Sequence, residues 1–149
     1  MKHHLKKLRI LLADDDTDDC DFFKKALEEL SLSTDLSVVH NGEDLLNYLS
    51  EHSEHLPHVV FLDINMPRKT GPECLAEIRT DARFKNLSVV MFSTSNSWDV
   101  INKLFKSGAD VYIHKPSDFG QLKQVIHHAL PLAAEKIFSN SQLKYLLNA

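Results

Sequence analysis

The sequence predicts an α/β domain on a doubly wound, five-stranded parallel sheet in the order 2-1-3-4-5. Helices cover both faces, and one further helix follows at the C-terminus. Three observations carry this expectation. Short apolar runs alternate five times with longer amphipathic stretches, the pattern of repeated strand–helix units. The runs are apolar throughout instead of every second residue, as strands covered on both faces must be. The first, third, fourth and fifth runs each give way to residues able to do chemistry, at the sheet edge where such folds open a crevice.

Leu8-Arg9-Ile10-Leu11-Leu12-Ala13 forms the first run and is closed by acids. Residues 17–30 place Cys20, Phe23, Leu27 and Leu30 at helical spacing. Leu36-Ser37-Val38-Val39 gives the second strand. Asn41-Gly42 punctuates it, and residues 43–49 predict a helix with Leu45, Leu46 and Leu49 inward. Pro57 precedes a third strand over 58–63, and Pro67 and Gly71 mark the loop that follows. Pro72 fits the first turn of the third helix, where a missing N–H costs nothing. That helix buries Cys74, Leu75 and Ile78. Residues 87–92 are the fourth strand. Val100, Ile101, Leu104 and Phe105 mark the fourth helix, with Gly108 as its stop. Residues 110–114 are the fifth strand, cut by Pro116. Phe119, Leu122, Val125, Ile126 and Ala129 mark the fifth helix, which Pro131 is expected to end. Residues 132–149 predict one more helix, with Ile137, Phe138, Tyr145 and Leu146 as its apolar positions. The domain is thus expected to span 1–131, with 132–149 as a helical extension and no separate output domain, because one helix is far below domain size.

Composition narrows the function. The chain has 149 residues, 43% hydrophobic and 26% charged, which suits one globular domain. Its net charge of −4 argues against nucleic-acid binding, which leaves a basic footprint. No apolar run approaches the length of a membrane span, and the short basic start is no signal peptide. A cytoplasmic protein is expected. Cys20 and Cys74 fall among apolar helix positions and are expected to be reduced core thiols. The histidines, including His3-His4 and His127-His128, show no ligand spacing. Trp98 begins the fourth helix, as a core or an interface ring.

The chemistry lies at the strand ends. Strand 1 leads into Asp14 and Asp15, strand 3 into Asp63, strand 4 into Ser93 and Thr94, and strand 5 into Lys115. Carboxylates brought together raise one another's pKa, and a hard divalent cation such as Mg²⁺ relieves that repulsion. Asp15 and Asp63 are the expected direct ligands, with Asp14 acting through a bound water. A cation in an acidic pocket attracts phosphate, and a carboxylate there can attack phosphorus. Lys115 would offset the arriving charge, and Ser93 can donate to a phosphoryl oxygen. The other acids, Asp16, Asp18, Asp19 and Asp21, are read as solvated charges at a helix start.

Leu11-Leu12-Ala13-Asp14-Asp15-Asp16, Phe61-Leu62-Asp63-Ile64-Asn65-Met66-Pro67 with Gly71, Ser93-Thr94, and Tyr112-Ile113-His114-Lys115-Pro116 together resemble response-regulator receiver domains of the CheY-like, flavodoxin-like fold. The resemblance covers residues 8–130. It implies that Asp63 is the phosphoacceptor. It implies that Asp14, Asp15, Asp63 and the backbone carbonyl of Asn65 hold Mg²⁺ (or Mn²⁺). Ser93 and Tyr112 would be the switch hydroxyl and aromatic ring, which move together. The surface of helix 4, strand 5 and helix 5 would then change its preference for partners. The phosphoryl donor would be a sensor histidine kinase or a histidine phosphotransfer protein. The downstream target would be a protein, and the tail could support a homodimer. The family's lysine is followed by a proline often in cis form, matched by Lys115-Pro116. Asn65 and Ser95 would flank the path of the hydrolytic water. Thr70 departs from the pattern, since many members carry an acid before the glycine. Residues 80–86 form a longer loop, similar to that of phytochrome-associated single-domain regulators.

Two other readings compete. Asp63-Ile64-Asn65 is similar to the DxD start of haloacid-dehalogenase-type phosphatases, but the second acid is Asn65 and no cap is present. A phosphorylation-independent scaffold would not need the acids and the lysine, all of which are kept.

Overall fold

The computed structural model describes residues 7–139 and 145–147, with side chains through Ala133. The elements in chain order are β1 (Leu8–Ala13), α1 (Thr17–Glu28), β2 (Thr34–Val39), α2 (Gly42–Glu51), β3 (Val59–Leu62), α3 (Gly71–Thr80), β4 (Ser88–Ser93), α4 (Trp98–Lys106), β5 (Val111–His114), α5 (Phe119–Ser139) and β6 (Tyr145–Leu147).

All strands pair in parallel, in the order β2-β1-β3-β4-β5-β6. The predicted order 2-1-3-4-5 is present, with β6 added beside β5. β3 and β4 are buried at every residue, which explains their unbroken apolar runs. The sheet separates two cores. Phe23, Phe61, Phe92, Ile113, Leu122 and Val125 pack under α1 and α5. Leu45, Leu62, Leu75, Met91, Leu104 and Tyr112 pack under α2, α3 and α4. Phe23 makes edge contacts with Phe61 and Phe92, at centroid distances of 4.9 and 5.7 Å.

Local chemistry sets the helix ends. Asp16, Asn41, Thr70 and Ser97 cap α1, α2, α3 and α4 by accepting from backbone N–H groups one turn on. Thr70, the departure noted above, pairs with Glu73 in a capping box. Gly108 ends α4 with φ +111°, a conformation that favours glycine. Cys20 and Cys74 are buried free thiols, as expected.

Two expectations are corrected. Pro131 does not end the fifth helix, which runs through it to Ser139. Pro131 lies on an exposed position, where the lost backbone bond faces water. The helical extension is therefore a continuation of α5, and residues 145–147 form a strand instead of part of a helix. The bond preceding Pro116 is trans, there being no cis peptide among the described residues. His3 and His4 lie outside the described residues, as do the side chains of Ile137, Phe138, Tyr145 and Leu146. Among the described residues no helix is long and apolar enough to cross a membrane.

Candidate functional site

The sheet ladder itself delivers the site. Each of three residues sits one step beyond a strand, its N–H donating to the last carbonyl of the neighbouring strand. Asp14 donates to Val39 at 3.0 Å, Asp63 to Ala13 at 3.0 Å and Lys115 to Ser93 at 2.8 Å. Side chains 49 and 52 positions apart along the chain thereby meet at one rim. Asp14 is fully buried, Asp63 nearly so, and Asp15 is exposed. One carboxylate oxygen from each of the three lies within 4.8 Å of the others.

Lys115 closes the cluster. Its Nζ lies 2.7 Å from Asp14 Oδ2, 3.0 Å from Asp19 Oδ2 and 3.7 Å from Asp63 Oδ2. Asp14 Oδ1 accepts from the N–H of Asp16, and Asp63 Oδ1 from the N–H of Ile64. Burial pushes the Asp63 carboxyl up to about 6; Lys115 opposes this and the charge of Asp14 adds to it. Burial alone would lower the Lys115 ammonium, but the carboxylates of Asp14, Asp63 and Asp19 outweigh it and hold the pKa above its ordinary value. A buried carboxylate under this strain, beside two further oxygen donors, suits a hard cation such as Mg²⁺ or Mn²⁺ that keeps part of its water.

Gly71 packs closely behind Asp63. A Cβ there would lie 2.1 Å from the carbonyl oxygen of Asp63, so only glycine permits this approach. Its N–H donates to Ile64 O, which closes the loop after β3. Asn65 is exposed within that loop.

On the other side of the rim, Ser93 is buried and its Oγ accepts from the N–H of Ser95 at 3.3 Å. Tyr112 is turned inward and buried, and its hydroxyl donates to Ser95 O at 2.8 Å. Burial raises the phenol pKa, so the hydroxyl keeps the proton it donates. His114 Nε2 lies 3.1 Å from Thr94 O. Trp98, at the start of α4, is 62% exposed, which settles its place at the surface.

A family model for the response regulator receiver domain matches residues 10–127. The chain belongs to this family. Receiver domains are the phosphoacceptor modules of two-component signalling and take phosphoryl groups from histidine kinases. The domain is 29% identical over 120 residues to the probable methanogenesis regulatory protein FilR2 of Methanothrix harundinacea (strain 6Ac), covering 78% of this chain and 77% of that protein. It is 26% identical over 121 residues to the response regulator Rcp1 of Synechocystis sp. (strain ATCC 27184 / PCC 6803 / Kazusa), covering 78% and 82%. The crystal structure of the phosphorylated cyanobacterial phytochrome response regulator RcpA superposes with a TM-score of 0.77 at 29% identity, over 93% of this chain and 99% of that one.

The structure therefore brings Asp14, Asp15, Asp63 and Lys115 together, with Ser93 and Tyr112 at the adjoining strand ends. Asp16 is the cap of α1, and it is Asp14 and Asp15 that lie grouped with Asp63. Sequence reasoning missed Asp19, taken as a solvated charge, and His114. Asp19 carried no local signal of its own, since Asp18 shares the first turn of α1 with it. His114 was signalled by its parity with Tyr112 in strand 5.

Proposed function

We propose that this receiver domain accepts a phosphoryl group on Asp63 from a phosphohistidine of a sensor kinase or phosphotransfer protein, with Mg²⁺ or Mn²⁺ bound. The observation that carries the reading is the convergence of Asp14, Asp15 and Asp63 within 4.8 Å, with the Lys115 ammonium 3.7 Å from Asp63. A carboxylate oxygen of Asp63 attacks phosphorus, the P–N bond of the donor breaks, and its electron pair returns to the imidazole. Asp14, Asp15, Asp63 and the Asn65 carbonyl would hold the cation, which would supply charge neutralisation to the phosphoryl oxygens. Lys115 donates to the same oxygens. Ser93 donates a hydrogen bond once its hydroxyl turns from Ser95, and Tyr112 keeps the loop after β4 in register with that movement. The signal leaves through the surface of α4, β5 and α5 to a protein target, not to nucleic acid. The domain is read as cytoplasmic and as turning over no separate substrate. That RcpA is described as phosphorylated supports the reading.

The test uses intact mass. Incubation with Mg²⁺ and acetyl phosphate adds one phosphoryl mass to the wild-type chain, and neither Asp63→Asn nor chelation by EDTA allows it. Labelling that persists in Asp63→Asn refutes the assignment.

A further inference from the structure

Lys115 carries three N–H donors. Two are committed, to Asp14 Oδ2 at 2.7 Å and Asp19 Oδ2 at 3.0 Å, while Asp63 Oδ2 at 3.7 Å lies beyond hydrogen-bond reach. The two committed partners are not equivalent. The Asp14 side chain is 1% exposed, so losing its cation would leave a buried charge alone. The Asp19 side chain is 44% exposed and has water as an alternative partner. Its contact with Lys115 is therefore separable from the fold.

Local structure puts Asp19 there. Asp16 caps α1 by accepting from the Asp19 N–H at 3.0 Å, which fixes the first turn of the helix over the ends of the strands. The positive end of the helix dipole favours an acid at this position. Asp19 and Lys115 also border one cleft of about 180 Å³, together with Phe22, Phe92 and Pro116. The contact thus faces an open cleft, which Thr94 and Ser117 also line.

We propose that Asp19 is a positioning residue that draws the Lys115 ammonium away from Asp63 and so weakens the hold of the site on a phosphoryl group. The inference rests on the reading of Asp63 as acceptor. Asp19 acts in two ways of the same sign. It occupies a donor that the phosphoryl oxygens would otherwise use, and it adds a negative charge beside an incoming anion. The clamp shortens the lifetime of the phosphorylated state and lowers affinity for its analogues.

Beryllofluoride with Mg²⁺ serves as the phosphoryl analogue, with binding followed by calorimetry on the full chain. Asp18→Asn is the control, because it removes the same formal charge from the same helical turn. Among the described residues, Asp18 is not an ion-pair partner of Lys115. Asp19→Asn should bind beryllofluoride about fivefold more tightly and lose its phosphoryl group about fivefold more slowly. Asp18→Asn should change either quantity less than about twofold, and Asp19→Glu should return toward wild type. Mg²⁺ affinity without the analogue should stay within about twofold in Asp19→Asn, which a general structural defect would not allow. Equal behaviour of Asp19→Asn and Asp18→Asn, or weaker analogue binding by Asp19→Asn, overturns the inference. A wild-type chain that binds no beryllofluoride overturns the acceptor reading itself, and the inference with it.

Discussion

The hydroxyl of Tyr112 donates to the carbonyl of Ser95 across a gap of 2.8 Å. Beside it His114 Nε2 lies against Thr94 O, and the Lys115 N–H donates to Ser93 O. Three successive carbonyls, from the last residue of β4 onward, are thus held by three groups of the β5 segment. Tyr112→Phe keeps the buried ring and removes one hold. Amides over 94–97 should then exchange with deuterium about fivefold faster, as expected for one lost hydrogen bond of about 1 kcal/mol. His114→Ala should act in the same direction. Unchanged exchange in both variants would show that the loop is fixed by other contacts.

Asp63 should make the metal-free protein sensitive to pH. Its carboxyl rises from 3.8 to about 6, chiefly through burial. The folded chain therefore holds this proton more tightly than the unfolded chain. Stability falls as pH rises from about 4 to about 6, by about 1–3 kcal/mol, and stays low above. Asp63→Asn cannot ionise. In urea without divalent cation it should exceed wild type by about 1–3 kcal/mol at pH 7.5, with the advantage gone near pH 4. A difference constant across that range would rule out Asp63 as the titrating group.

Asp14 and Asp15 should separate stability from cation binding. Asp15 is exposed, so Asp15→Asn should change unfolding free energy by less than about 0.5 kcal/mol while weakening Mg²⁺ at least about tenfold. Asp14 is buried against Lys115, so Asp14→Asn should also destabilise the fold by about 1–3 kcal/mol. Calorimetric Mg²⁺ titration and urea unfolding of both variants measure the split. Equal stability losses would contradict it.

Arg79 should matter for folding alone. Its guanidinium donates to Gly108 O, Lys85 O and Leu87 O and pairs with Asp110 at 3.0 Å, tying α3 to the turns before β4 and β5. Those turns lie at the opposite end of the strands from Asp63. Arg79→Ala should cost about 2–4 kcal/mol in urea unfolding. At a temperature where the variant is folded, labelling by acetyl phosphate should remain as in wild type.

Much of this arrangement was legible because strand ends are written locally. The apolar run 8–13 stops at Asp14, and parallel pairing then carries that stop to the same rim as Asp63 and Lys115. Asn41, Pro72 and Gly108 marked helix ends through backbone chemistry that needs no tertiary partner. The path of the chain after Pro131 was not legible. A proline on a solvent-facing turn of α5 loses little, and only packing of the helix on β3, β4 and α1 reveals which turn faces solvent. The placement of 145–147 was hidden for a similar reason, since three residues carry no periodicity and their pairing depends on a free edge beside β5. Asp19 was hidden among like charges: its partner lies 96 positions away, and nothing local separates it from Asp18.

The strand Tyr145–Leu147 also decides how another protein can recognise this one. With β6 hydrogen-bonded along it, β5 lies between two neighbours and offers no free backbone to an incoming peptide. A binding mode that extends the sheet is thereby blocked beside Tyr112, and the outermost position passes to a segment of three residues, a poor template for further pairing. A partner on the proposed α4, β5 and α5 surface would have to grip side chains on the two helices, and among the described residues there the exposed indole of Trp98 is the largest apolar one.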